Sequence, residues 1–149
     1  MDINRISLGG KIVAIAGLLF FIDSFLPWFR ECIDIFGQKT CISGSAWHTI
    51  FSILATLLVI ALVAEVLYTE GTGATLSPLG SVTWDQIRLG AGIAVPVLVL
   101  LQLLIGYQGI GRGWAMFLGL ILGAAIAYGE FARTRTPATT PPPAYPPTY

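Results

Sequence analysis

The stretch WHTIFSILATLLVIALVAEVLY, residues 47–68, decides the fold. It is almost continuously apolar, contains one acidic residue, Glu65, and is bracketed by Trp47 and Tyr68. About 20 residues rising 1.5 Å each match the roughly 30 Å hydrocarbon core of a bilayer. Trp and Tyr at its two ends suit the headgroup level, because each ring is apolar while its N–H or O–H is not. The segment predicts a transmembrane helix.

Outward from it, three further stretches share this pattern: residues 12–29, closed by Trp28; 87–107, between Trp84 and Tyr107; and 114–131, with Trp114 and Tyr128. The expected fold is therefore an all-α membrane protein, a four-transmembrane-helix bundle over residues 1–131 with a tail from 132 to 149. Composition agrees. The 149 residues are 55% hydrophobic and 11% charged, with a mean hydropathy of +0.79, whereas soluble domains carry roughly 25% charged residues. A soluble fold this small would have to leave much of that apolar surface in water. The formal net charge of zero, from 8 basic and 8 acidic residues, speaks against nucleic-acid binding, which needs a concentrated basic surface. Lys11 and the apolar run after it have the look of a signal-peptide start, but no small-x-small cleavage site follows, so a retained helix is expected.

With four crossings, Arg5, Lys11, Arg88, Arg133 and Arg135 fall on one side, and Arg30, Lys39 and Arg112 on the other. The excess of Lys and Arg predicts a multi-pass plasma-membrane protein with both termini cytoplasmic. Cys32 and Cys41 then lie outside, where a disulfide persists. Their connection reads as a short outer hairpin. With Phe36 and Gly37 as a two-residue turn, Gly supplies positive φ, Asp34 faces Lys39, and Cys32 faces Cys41 in a non-hydrogen-bonded pair, where side chains approach most closely. Closing that loop stabilises it by about 2–3 kcal/mol.

The connection from Thr69 to Thr83 is rich in Gly, Thr and Ser and reads as a flexible cytoplasmic loop. Residues 108–113 form a short Gly-rich turn that makes the third and fourth helices antiparallel neighbours. No strand precedes that turn, so it is no dinucleotide loop. The tail is expected to be disordered, with polyproline II character. It ends in two successive Pro-Pro-x-Tyr sequences, Pro142, Pro143, Tyr145 and Pro146, Pro147, Tyr149, a form that suits aromatic-lined grooves and so a cytoplasmic partner.

Few residues offer chemistry. Asp23 lies within the first apolar stretch, about 7–8 Å below an interface at Trp28 at the helical rise, and a carboxylate at such depth marks a functional position by default. His48, the single histidine, is its expected partner, with Arg30 and Arg112 as alternatives and Gln102 as a polar group on the third helix. Glu65 is expected to reach the headgroups, and Pro96 to bend the third helix. Ala115, Gly119, Gly123 and Ala127 repeat every four residues, a small-residue row that allows close helix packing, within the chain or between copies. No ligand spacing for a metal, no catalytic order of serine, histidine and carboxylate, and no cofactor motif stands out.

Phe25-Leu26-Pro27-Trp28-Phe29, followed by Ser43-Gly44-Ser45-Ala46-Trp47 at the start of the second helix, resembles a pattern in small, mostly uncharacterised four-span membrane proteins of actinobacteria. The resemblance implies a bacterial plasma membrane and no known activity. Four spans with a disulfide in the first outer loop are also similar to claudin-type proteins, but that family's Gly-Leu-Trp before its cysteines is missing here. The expected function is a non-enzymatic scaffold or accessory subunit working with a membrane-protein partner or as a homo-oligomer in the lipid bilayer. The alternative is a small transporter, channel component or pH-responsive sensor centred on Asp23.

Overall fold

The computed structural model describes residues 6–77, 80–106 and 111–135. Its order is helix α1 (Leu8–Asp23), strands β1 (Phe29–Ile35) and β2 (Gln38–Gly44), a single 3-10 turn (Ala46–His48), and helices α2 (Ile50–Thr72), α3 (Trp84–Ile105) and α4 (Trp114–Arg135). Three of the helices, α2, α3 and α4, are long and apolar enough to cross a membrane. α1, at 16 residues, is shorter.

Local chemistry sets each boundary. Ser7 caps α1, its hydroxyl accepting from the Gly10 N–H. The helix stops at Asp23, six residues before the expected end at Phe29, because Pro27 disfavours helical geometry at Leu26 and the chain unwinds through bonds from Phe25 N–H to Ile22 O and from Leu26 N–H to Asp23 O. α2 runs four residues past Tyr68 to Thr72, where Gly73 at φ 73° ends it as a left-handed cap. α3 begins on a capping box between Thr83 and Gln86 and continues through Pro96 as one helix. α4 extends beyond Phe131 to Arg135.

Each helix packs on two neighbours, in the cyclic order α1, α2, α3, α4 and back to α1. The core between them holds Val13, Phe20, Val59, Val66, Val95 and Val99, all buried. Close approach between the helices adds dispersion contacts. Glycines provide that approach between α1 and α4. A methyl group at Gly9 would stand 2.6 Å from the carbonyl oxygen of Gly129, and one at Gly129 only 2.7 Å from Val13 Cγ2. The outward faces are apolar as well: Ile15, Leu18, Leu57, Leu100, Leu104 and Ile121 are all exposed.

β1 and β2 pair antiparallel in the expected register, with Asp34 opposite Lys39 and Cys32 opposite Cys41. The cysteines form a disulfide, and their Cα atoms are 4.0 Å apart, the close spacing of a non-hydrogen-bonded pair. The turn places Phe36 at φ 53° and Gly37 at φ 81°, so both central residues have the positive φ of a type I′ turn. At its base the hairpin is held by the segment before α4. Arg30 N–H donates to Gly111 O, Gly113 N–H donates to Trp28 O, and Phe29 forms a bridge with Arg112.

The first four residues of the predicted tail, 132–135, belong to α4; the rest of it, with the Pro142–Tyr149 motif, lies outside the described residues, as do Tyr107 and the first part of the expected turn before α4.

Candidate functional site

Polar side chains concentrate at the two ends of the helical body. One end, where α1 and α3 begin and α2 and α4 finish, holds an ion network. Arg133 sits at its centre, its side chain only 5% exposed. Its Nε donates to Glu70 Oε1 at 2.7 Å, and its Nη1 donates to Glu65 Oε2 at 3.0 Å and to both oxygens of Glu130 at 2.9 Å. Glu130, one turn earlier on α4, is wholly buried. Arg88 on α3 joins through Nη1 to Glu65 Oε1 at 3.3 Å and pairs with Asp85. α1 is tied in by its cap: Ser7 donates its backbone N–H to Glu70 Oε2 at 2.6 Å and its hydroxyl to Glu70 Oε1 at 3.2 Å. One guanidinium thus links α2 and α4 directly, α1 through Glu70, and α3 through Glu65.

This network is the feature that the sequence reading misses. Glu65 does not reach outward to headgroups; it bridges Arg88 and Arg133. The available signal was the acid and base three residues apart at Glu130 and Arg133, at the end of an apolar stretch, facing Glu65 and Glu70 once the helices alternate in direction.

The opposite end holds Asp23. It is 1% exposed, and its Oδ2 accepts from Trp28 Nε1 at 3.2 Å, while the same indole N–H lies 3.0 Å from Asp23 O. Trp28 is fully buried within the protein, edge-on to Phe20 with ring centroids 6.0 Å apart. Pro27 turns the chain back so that the indole covers the end of its own helix. Ser24 beside it accepts from Trp47 Nε1 at 3.2 Å. The other carboxylate oxygen of Asp23, Oδ1, is buried without a hydrogen-bond partner among the described residues, as is Arg133 Nη2 at the far end.

The three polar residues expected to act together are not brought together. His48 is exposed, its Nδ1 3.2 Å from Ser45 O. Gln102 is 2% exposed but donates to Gly106 O, at 2.8 Å, closing the end of its own helix. Arg112 donates to Leu103 O at 2.7 Å. Among the described residues no hydrogen bond or ion pair joins Asp23 to His48, Gln102, Arg30 or Arg112. Nor are three or more His, Cys, Asp or Glu side chains placed to hold a metal among them.

The small-residue row on α4 packs inside the chain and on two different partners. A methyl at Gly119 would lie 2.7 Å from Trp28 Cζ2 and 3.0 Å from Asp23 Oδ2. One at Gly123 would lie 3.3 Å from Pro96 Cα on α3. Ala115 is buried, and Ala127 stands opposite Gly92 on α3.

Two concavities flank these sites. A groove of about 350 Å³ between α1 and α2 is lined by apolar residues alone, among them Gly17, Phe21, Val59 and Val63. A second, of about 290 Å³, lies beside the network against Glu65, Glu70, Trp84 and Arg88. The carboxylates and guanidinium that face it already hold hydrogen bonds within the network.

The resemblance carried by Phe25–Phe29 and Ser43–Trp47 rests on those residues alone, since no protein-family model, curated protein or solved structure matches the chain.

Proposed function

We propose that this protein crosses the bilayer four times, with its ion network on the cytoplasmic side, and serves as a non-enzymatic scaffold or accessory subunit of a membrane complex. Support for the fourth crossing comes from matching lengths. Ser7 joins the network centred on Arg133, and Trp28 bonds Gly113 at the start of α4. The chain from Ser7 to Trp28 thus runs beside α4 from Arg133 to Gly113, about 20 residues or roughly 30 Å at the helical rise, which matches the hydrocarbon thickness. α1 and the turn after it, closed by the buried Trp28, span together what the 16-residue helix does not span alone.

The observation that carries the scaffold reading is the internal use of charge. Glu65, Glu70, Glu130, Arg88 and Arg133 are bound to one another, and the groove between α1 and α2 presents only hydrocarbon. Such a surface suits lipid or a partner helix better than a polar substrate. The tail motif, Pro142 to Tyr149, would recruit a cytoplasmic partner. Purification in mild detergent is expected to yield a stoichiometric membrane partner or a defined homo-oligomer. A clean monomer, together with a tail whose removal changes nothing, would refute the scaffold role.

One observation favours the second reading, a proton-coupled transporter or sensor: the unpartnered Oδ1 of buried Asp23. On that reading, Asp23→Asn abolishes a pH-dependent flux or response at unchanged expression. A change confined to stability leaves Asp23 a structural residue.

A further inference from the structure

The Cys32–Cys41 disulfide is open to its surroundings. Residues directly opposite in an antiparallel pair share a face, so the register sets both cysteines on one side of the hairpin with Arg30, Ser43, Asp34 and Lys39. All six residues are exposed. Structural disulfides resist reduction, whereas exposed ones supply the labile, regulatory and catalytic class. The strands are also held at both ends by bonds that do not involve sulfur. At the tip, Phe36 and Gly37 form the type I′ turn. At the base, Arg30 N–H donates to Gly111 O, and Gly113 N–H donates to Trp28 O. Cutting the S–S bond therefore leaves the two thiols on opposed strands, ready to close again. The third observation is charge. Two cations, Arg30 and Lys39, share the sulfur-bearing face with one carboxylate, Asp34. That balance attracts an incoming thiolate and steadies the departing one.

We infer that Cys32 and Cys41 form a reversible thiol–disulfide exchange site, reduced by an external dithiol without unfolding of the protein. A thiolate of the dithiol attacks one of the exposed sulfurs. The S–S bond breaks as a mixed disulfide forms, and the other cysteine leaves as a thiolate that takes a proton from water. The second thiol of the dithiol then loses its proton and displaces the first cysteine, which is protonated in turn. Two electrons and two protons have entered the hairpin, and the dithiol has become a disulfide. Reduction loosens the hairpin, and reoxidation restores it. The inference concerns the hairpin alone and is independent of the number and direction of membrane crossings.

The full chain in mild-detergent micelles is treated with dithiothreitol at neutral pH, and the reduced fraction is followed by maleimide labelling and intact-mass measurement. The rate is expected to be proportional to dithiothreitol concentration. It should also change by less than about twofold on adding urea below the unfolding transition, because direct attack on the native hairpin needs no prior opening. Helical circular dichroism stays constant during reduction, and oxidised glutathione restores the disulfide. A disulfide that is not reduced, a rate that plateaus or climbs with urea, or loss of helix on reduction would each overturn the inference, as would failure to close again. Lys39→Glu reverses one flanking charge and is expected to slow the reaction about three- to tenfold. An unchanged rate in that variant overturns the part assigned to the charges.

Discussion

The two ends of the helical body solve the problem of buried polarity in opposite ways. At the network end, four carboxylates meet two guanidiniums, and every helix or its cap contributes a bond. At the hairpin end, one carboxylate is set under an indole with half of its hydrogen-bonding capacity unused. Buried away from water, the first arrangement ties four elements into one unit, so losing any member strands the others. The second is local, involving a helix end, its own following turn and one glycine of α4. The difference teaches that depth in the sequence is a poor guide to the role of a charge in the fold. Asp23, the more conspicuous in the sequence, has the fewer partners.

The largest expected effect lies at the network. Arg133→Met leaves Glu130 buried and unpaired, and breaking one side of a buried pair costs about 3–5 kcal/mol. Equilibrium unfolding in mixed micelles measures it. The double variant Arg133→Met with Glu130→Gln is expected to recover much of the loss, since the fully buried Glu130 then carries no charge while Glu65 keeps Arg88 and Glu70 keeps its bonds to Ser7. An equal loss in both would show that the helices are not held through that pair.

At the hairpin end, the comparison sharpens through Gly119. A valine there drives its side chain into Trp28 and Asp23, and overpacking of this kind costs about 1–3 kcal/mol. Near-ultraviolet circular dichroism should report the displaced indole. Reducing the disulfide through Cys32→Ser with Cys41→Ser is expected to loosen the hairpin by about 2–3 kcal/mol. That loss should appear in hydrogen exchange of residues 29–44 and leave the helices protected. Smallest of all is His48→Ala, within about 0.5 kcal/mol for an exposed side chain away from buried features. A large effect there would reinstate His48 as part of the hairpin-end site.

These contrasts also explain how much was legible beforehand. The apolar runs, with charge confined to their margins, announce helices, because lipid exposure demands hydrocarbon on every face. The Cys32–Cys41 pairing follows from a two-residue turn and the parity of strand positions. Helix ends are harder. Glu65, Glu70 and Arg133 look like boundary markers to any hydropathy reading, yet mutual pairing lets α2 and α4 continue past Tyr68 and Phe131. Which acid meets which base depends on the cyclic packing of helices, a property no single segment encodes. Trp28 fails for a related reason: an indole with a wet N–H at an interface and one with a bonded N–H in a core look alike until Pro27 and Gly119 are placed around it.

The central claim, four crossings with the network and the hairpin on opposite faces, is tested most directly by thiol accessibility in sealed, right-side-out vesicles. Single cysteines at Leu8, Gln38 and Thr75, introduced in a Cys32→Ser, Cys41→Ser background, are treated with a membrane-impermeant maleimide. The account predicts that Gln38 reacts at once, whereas Leu8 and Thr75 react only after permeabilisation. Leu8 reacting together with Gln38 would leave α1 on one side of the membrane and contradict the account.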